Sequence, residues 1–192
     1  MMKKDKYGNN CTKRLPIHIR TLALPNFNYS KAIEIAGKLF GSNGIFMDIR
    51  SEFCLALSEA DAVKFNVIDG ECKWNQFSSE QEDLYELAKI SPGSGVAVCI
   101  VGGVKTSSGS LNGCAGHAPS KPAVVIGADA TVYTLAHEIG HVLLGPSFSP
   151  VHTESTSNIM YKSTNGIPAG SSPTFNAEQA TQIKKSGFLI AC

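Results

Sequence analysis

The 192-residue chain has no apolar run of the roughly eighteen residues that a membrane-spanning helix requires. It also lacks a basic excess, with 17 Lys and Arg against 16 Asp and Glu. Nucleic-acid binders gain affinity by neutralising phosphates, so this balance argues against that class of partner. No C-x-x-C pair is present, which removes the usual cysteine framework of a structural zinc site. No internal repeat implies a solenoid, and no serine or cysteine stands in a convincing nucleophile constellation. The positively charged start, MMKKDKYGNN, is not followed by the apolar segment of a secretory signal.

What remains is an ordinary globular composition, 43% hydrophobic and 17% charged. It suits a single domain, residues 1–192, with a sheet-containing part over 1–145 and a smaller irregular part over 146–192. Six cysteines, at 11, 54, 72, 99, 114 and 192, form an even set better suited to disulfides than to metal. That points to a secreted, extracellular protein in mature form, or to one exported without a signal. Buried free thiols in a cytosolic protein are the alternative. Cys114–Cys192 and Cys54–Cys72 are the expected bridges.

Hydrophobic periodicity outlines an α/β (α+β) chain. Residues 15–24 alternate with Leu15, Ile17 and Ile19 on one side, as a strand does. Ser30 is the expected N-cap of a helix carrying Ala32, Ile33, Ala36, Leu39 and Phe40, with Gly41 as its stop. Ile45, Met47 and Ile49 alternate again, as do Val63, Phe65 and Val67 before an Asp69-Gly70 turn. A short helix is expected over 80–89, broken by Ser91-Pro92-Gly93. Residues 95–104 and 122–127 read as buried strands. The Gly- and Ser-rich stretch 102–116 reads as a loop with a short edge strand inside it. Residues 131–144 give the clearest helix, stopped by Gly145-Pro146. A last helix over 177–186 has Asn176 as N-cap and Gln179 in the capping-box position.

The chemistry is concentrated on the clearest helix, in His137-Glu138-Ile139-Gly140-His141. Residues four apart share a helix face, so both imidazoles can reach one metal ion. Glu138 cannot ligate at that spacing, but it can take a proton from water in the ion's open position. A catalytic zinc needs a third protein ligand, and His152 and Glu154 are the candidates beyond the Gly145-Pro146 turn. His117 and His18 read as structural histidines, and Trp74 as a packing anchor.

A zinc-binding helix, a glycine turn, a third histidine and then Asn158-Ile159-Met160-Tyr161 resemble the metzincin clan of zinc metallopeptidases, in its matrixin-like bacterial form. Residues 175–179, Phe-Asn-Ala-Glu-Gln, are similar to the start of that group's closing helix. The resemblance implies a mixed twisted sheet with an active-site helix and an irregular C-terminal subdomain. It further implies zinc on His137, His141 and His152, with Glu138 as general base and Met160 forming a Met-turn beneath the metal. A strand within 111–116 would pair with an extended protein or peptide substrate. A monomeric zinc endopeptidase is therefore expected.

The chain departs from the clan's H-E-x-x-H-x-x-G-x-x-H pattern. Leu144 takes the glycine position, Ser147 the third ligand position, and Lys162 the place of an additional tyrosine. No cysteine-switch propeptide is encoded in the sequence. A deformylase-like zinc hydrolase and a toxin or binding module that retains zinc are the alternative functions.

Overall fold

The computed structural model describes residues 4, 7–70, 72, 74–88 and 95–192. The expected helix break at 91–93 lies outside them. The main sheet begins with β1 (Lys13–Thr21) and β2 (Ile45–Cys54), joined through α1 (Tyr29–Ser42). After α2 (Glu59–Lys64), β3 (Val67–Asp69) and α3 (Ser79–Leu87) come β4 (Val96–Val101), β5 (Gly103–Thr106), β6 (Gly109–Leu111), β7 (Gly113–Cys114) and β8 (Ala123–Gly127). The helix α4 (Thr134–Leu144) follows, then a 3-10 turn at Thr164–Gly166, α5 (Ala177–Ile183) and β9 (Ile190–Ala191).

The sheet order is β2-β1-β4-β8-β7, with β9 paired to the start of β1. Strands β2, β1, β4 and β8 are parallel, and the short edge strand β7 is antiparallel to β8. The alternation along β4 sorts side chains into two cores. Val96, Val98 and Ile100 join α1 and α4, while Ala97, Cys99 and Val101 meet Leu84, Tyr85 and Ala88 on the other side. A parallel strand covered on both faces reads as the continuous apolar run seen in the sequence. Helix α4 packs between β8, α1 and α5, so its polar positions are set by three apolar neighbours.

Several sequence expectations shift. The N-cap of α1 is Asn28, whose side chain accepts from the Lys31 N–H, rather than Ser30. Gly41 lies buried within α1, and the chain leaves the helix at Asn43 before Gly44, where φ is +77°. Val63 belongs to α2, not to a strand; Ser58 caps that helix by accepting from Asp61 N–H. The stretch expected to be mostly loop holds β5 and β6, which form a separate three-stranded sheet with β3. Helix α5 ends at Ile183, three residues earlier than expected, but its Asn176–Gln179 capping box is present in both directions.

The bridges are Cys11–Cys192 and Cys72–Cys114, not the expected pairs. Strand β9 runs back along the start of β1, which carries Cys192 to Cys11 with their Cα atoms 6.1 Å apart. Cys114, on the opposite sheet edge, has its Cα 5.1 Å from that of Cys72. Cys54, ending the far edge strand β2, is an exposed free thiol, and Cys99 is a buried one.

Candidate active site

His137 and His141 project from one face of α4, and His152 approaches from the loop beyond the helix. Burial leaves 5% of His137 exposed. Its Nδ1 lies 2.8 Å from the carbonyl oxygen of Ile159. A carbonyl only accepts, so Nδ1 carries the proton and Nε2 presents its lone pair to the site. That Nε2 is 3.1 Å from Nε2 of His141, which is 3.1 Å from Nε2 of His152. The ligand atoms of all three residues lie within 4.8 Å of one another and form a group that could hold a metal ion.

The donor set fits such an ion. Imidazole nitrogens about 2.0–2.1 Å from a tetrahedral zinc stand roughly 3.3 Å apart, close to these separations. Burial also keeps the rings neutral: it pushes the His137 pKa down to about 4 and those of His141 and His152 below the ordinary value. His137 and His152 are near-parallel at 11°, and His141 is edge-on to both at 81° and 89°.

The turn at 158–161 locks this arrangement from below. Besides holding His137 through Ile159, it receives the Thr153 N–H on the Met160 carbonyl at 2.9 Å, next to His152. Met160 is fully buried, under Gly140 of α4. Asn158 accepts the Met160 N–H at 2.7 Å and donates from Nδ2 to Oε1 of Gln179 at 2.8 Å. Gln179 in turn donates to the Val151 carbonyl at 3.3 Å. The sequence marks Gln179 only as a helix cap; its second role, joining α5 to the segment before His152, has no local signature.

Glu138 is 7% exposed and faces the edge strand. A Cβ on Gly113 would come within 2.9 Å of its Cγ, so glycine there admits the carboxylate. Burial raises the Glu138 pKa to about 8. Glu138 and the three histidines line an open cleft of about 240 Å³. One rim carries Ser110, Leu111 and Asn112, and the other Lys162 to Asn165. Asn112 Nδ2 bridges them, 2.8 Å from both Thr164 Oγ1 and Asn165 Oδ1. Thr164 also meets Thr134 of α4 at 3.0 Å.

The other candidates lie elsewhere. Glu154 points into solvent, its side chain 82% exposed, and pairs with Lys162 at 2.8 Å. His117 is buried, donates from Nδ1 to the Ala118 carbonyl at 2.7 Å and packs edge-to-face on Trp74 at 4.4 Å. His18 joins β1 to β2 through Ser51 Oγ at 2.8 Å.

No protein-family model and no curated protein matches this chain. Solved structures do. The fold is similar to metalloproteinase-II from Bacteroides fragilis, with a TM-score of 0.58 and 13% identity over 95% of this chain and 55% of that one. The chain thus spans about half the length of that protein. It is also similar to archaemetzincin from Methanopyrus kandleri, with a TM-score of 0.53 and 13% identity over 89% and 94% of the two chains. A zinc-dependent peptidase from Methanocorpusculum labreanum gives 0.51 and 12% identity over 87% and 99%. At these identities the likeness is one of fold: a mixed twisted sheet with an α/β arrangement of helices.

Proposed function

We propose that the chain is a zinc-dependent endopeptidase of metzincin type. The observation that carries this reading is the convergence of His137, His141 and His152 Nε2 beside a buried Glu138 in an open cleft. The names of the three similar structures, a metalloproteinase, an archaemetzincin and a zinc-dependent peptidase, favour the same activity. The finer matrixin-like reading rests on segments 158–161 and 175–179 alone.

In this reading His137, His141 and His152 hold the ion, with the Ile159 carbonyl orienting the first of them. Zinc bound there supplies Lewis acidity to the scissile carbonyl and to water. Glu138 accepts a proton at its carboxylate and delivers it to the leaving amine. Burial raises its proton affinity in the metal-free protein, and a cation held by the histidines would lower it again, toward the ionised form that accepts a proton. Strand β7 and the residues before it offer backbone groups along which an extended peptide can lie. Met160 supports the histidines from beneath without touching the substrate. The disulfides Cys11–Cys192 and Cys72–Cys114 suit an oxidising, extracellular setting. No helix among the described residues is long and apolar enough to cross a membrane.

The test is hydrolysis of an unfolded protein and of a formyl-peptide by the zinc-loaded chain, with and without 1,10-phenanthroline. Cleavage of the protein, blocked by the chelator and restored by zinc, is the expected result. Deformylation alone, or cleavage indifferent to the chelator but blocked by a thiol alkylator, would overturn the reading.

A further inference from the structure

Among the described residues lining the cleft, the acidic or basic side chains besides the histidines are Glu138 on the floor and Lys162 at the rim. The Lys162 backbone is anchored to the site. It follows Tyr161, whose N–H donates to the Asn158 carbonyl at 3.1 Å and which bridges to Thr153 beside His152. The Tyr161 ring lies so close over Gly166 that a Cβ there would clash with its Cε1. This packing fixes the root of the Lys162 side chain, which as a whole stays 57% exposed.

That ammonium already holds a carboxylate. Glu154 reaches it at 2.8 Å from outside the cleft wall. Both partners of this ion pair are exposed, so water and salt screen it and another carboxylate can replace Glu154 at small cost.

We propose that Lys162 is a specificity-determining residue that selects substrates carrying a carboxylate close to the scissile bond, and that Glu154 is the internal competitor it releases when substrate binds. The proposal rests on the peptidase reading above. A carboxylate can come from an Asp or Glu side chain or from a chain terminus, and the two sources are separable by amidating the terminus.

The experiment compares matched peptides that differ only by Glu against Gln near the cleavage site, each with free and amidated C-termini. The zinc-loaded protein is expected to favour the acidic member in kcat/KM, with a ratio that shrinks as salt is raised. Lys162→Glu should lower that ratio roughly tenfold or more, and Glu154→Gln should raise it about two- to fivefold. Binding of the same peptides to the Glu138→Gln variant, read by fluorescence anisotropy, should show the same preference without turnover. Preference for Glu over Gln assigns the side chain as the carboxylate source, and preference for the free over the amidated terminus assigns the terminus. Ratios near one in both comparisons, or ratios unmoved by Lys162→Glu while peptides are still cleaved, overturn this inference alone. Failure of the zinc-loaded protein to cleave any peptide or protein overturns the peptidase reading instead.

Discussion

A Cβ placed on Gly140 would stand 2.6 Å from Sδ of Met160. The middle of the His137–His141 turn is therefore pressed directly onto the 158–161 turn, which holds both His137 and the His152 loop. Glycine at this position is a packing requirement, not a helix-breaking accident.

Gly140→Ala follows from that contact. The added methyl gains about 1 kcal/mol in helix propensity, but overpacking a fully buried sulfur costs roughly 1–3 kcal/mol. A net loss of about 1 kcal/mol is expected in denaturant unfolding, with weaker zinc binding because the two turns are forced apart. A variant as stable as the parent, with unchanged zinc affinity, would show that the contact does not position the site.

The proposed third ligand, His152, is tested by a pair of substitutions. His152→Ala should weaken zinc binding by two orders of magnitude or more, because it removes one of three converging nitrogens. Glu154→Ala should leave metal content near one ion per chain, since that carboxylate is paired with Lys162. Metal analysis after dialysis against a weak chelator separates the outcomes. The reverse pattern would assign the ligand to Glu154.

The metal-free protein should show opposed pH dependences. His137 has a folded pKa of about 4 against an ordinary 6.5, so the stability it provides is complete above pH 6.5 and is lost as pH falls toward 4. Glu138 runs the other way. Its folded pKa of about 8 lies above the ordinary 4.5, so its contribution is complete below pH 4.5 and is lost as pH rises toward 8. Thermal unfolding of the chelated protein should therefore weaken at both ends of this range. Glu138→Gln should remove the loss on the alkaline side while keeping the acidic one. An identical alkaline loss in that variant would contradict the burial argument.

Disulfide mapping under non-reducing conditions should recover Cys11 linked to Cys192 and Cys72 linked to Cys114. Cys54 should react with an alkylator in the folded protein, and Cys99 only after unfolding, in keeping with their exposed and buried positions. Cys192→Ser should cost about 2–5 kcal/mol, because it releases a crosslink spanning 181 residues and the pairing of β9 with β1. A Cys114–Cys192 peptide in the map would contradict the topology described here.

The parts legible in the sequence were those set by local chemistry. The α4 helix shows its apolar periodicity and its Gly145 stop, and α5 shows both halves of its cap in Asn176 and Gln179. Strands β4 and β8 are apolar throughout because both faces are covered. What local reading missed depends on partners far away in the chain. Val63 and Phe65 mimic a strand's alternation, although the Ser58–Asp61 capping contact makes the segment before Phe65 a helix. The β5–β6 hairpin hides in a polar, glycine-rich stretch because it pairs with β3 in a small, largely exposed sheet. Cysteine pairing depends on sheet order, which periodicity does not encode. The same is true of the second role of Gln179, which joins α5 to the segment before His152.

The central claim is that His137, His141 and His152 hold a zinc ion while Glu138 moves the proton. The most direct test measures zinc content and peptide hydrolysis side by side in the parent and in Glu138→Gln. The expected result is one zinc per chain in both proteins, with hydrolysis reduced by several orders of magnitude in the variant alone. Hydrolysis at the parent rate in Glu138→Gln, or a parent protein that holds no zinc, would contradict the account.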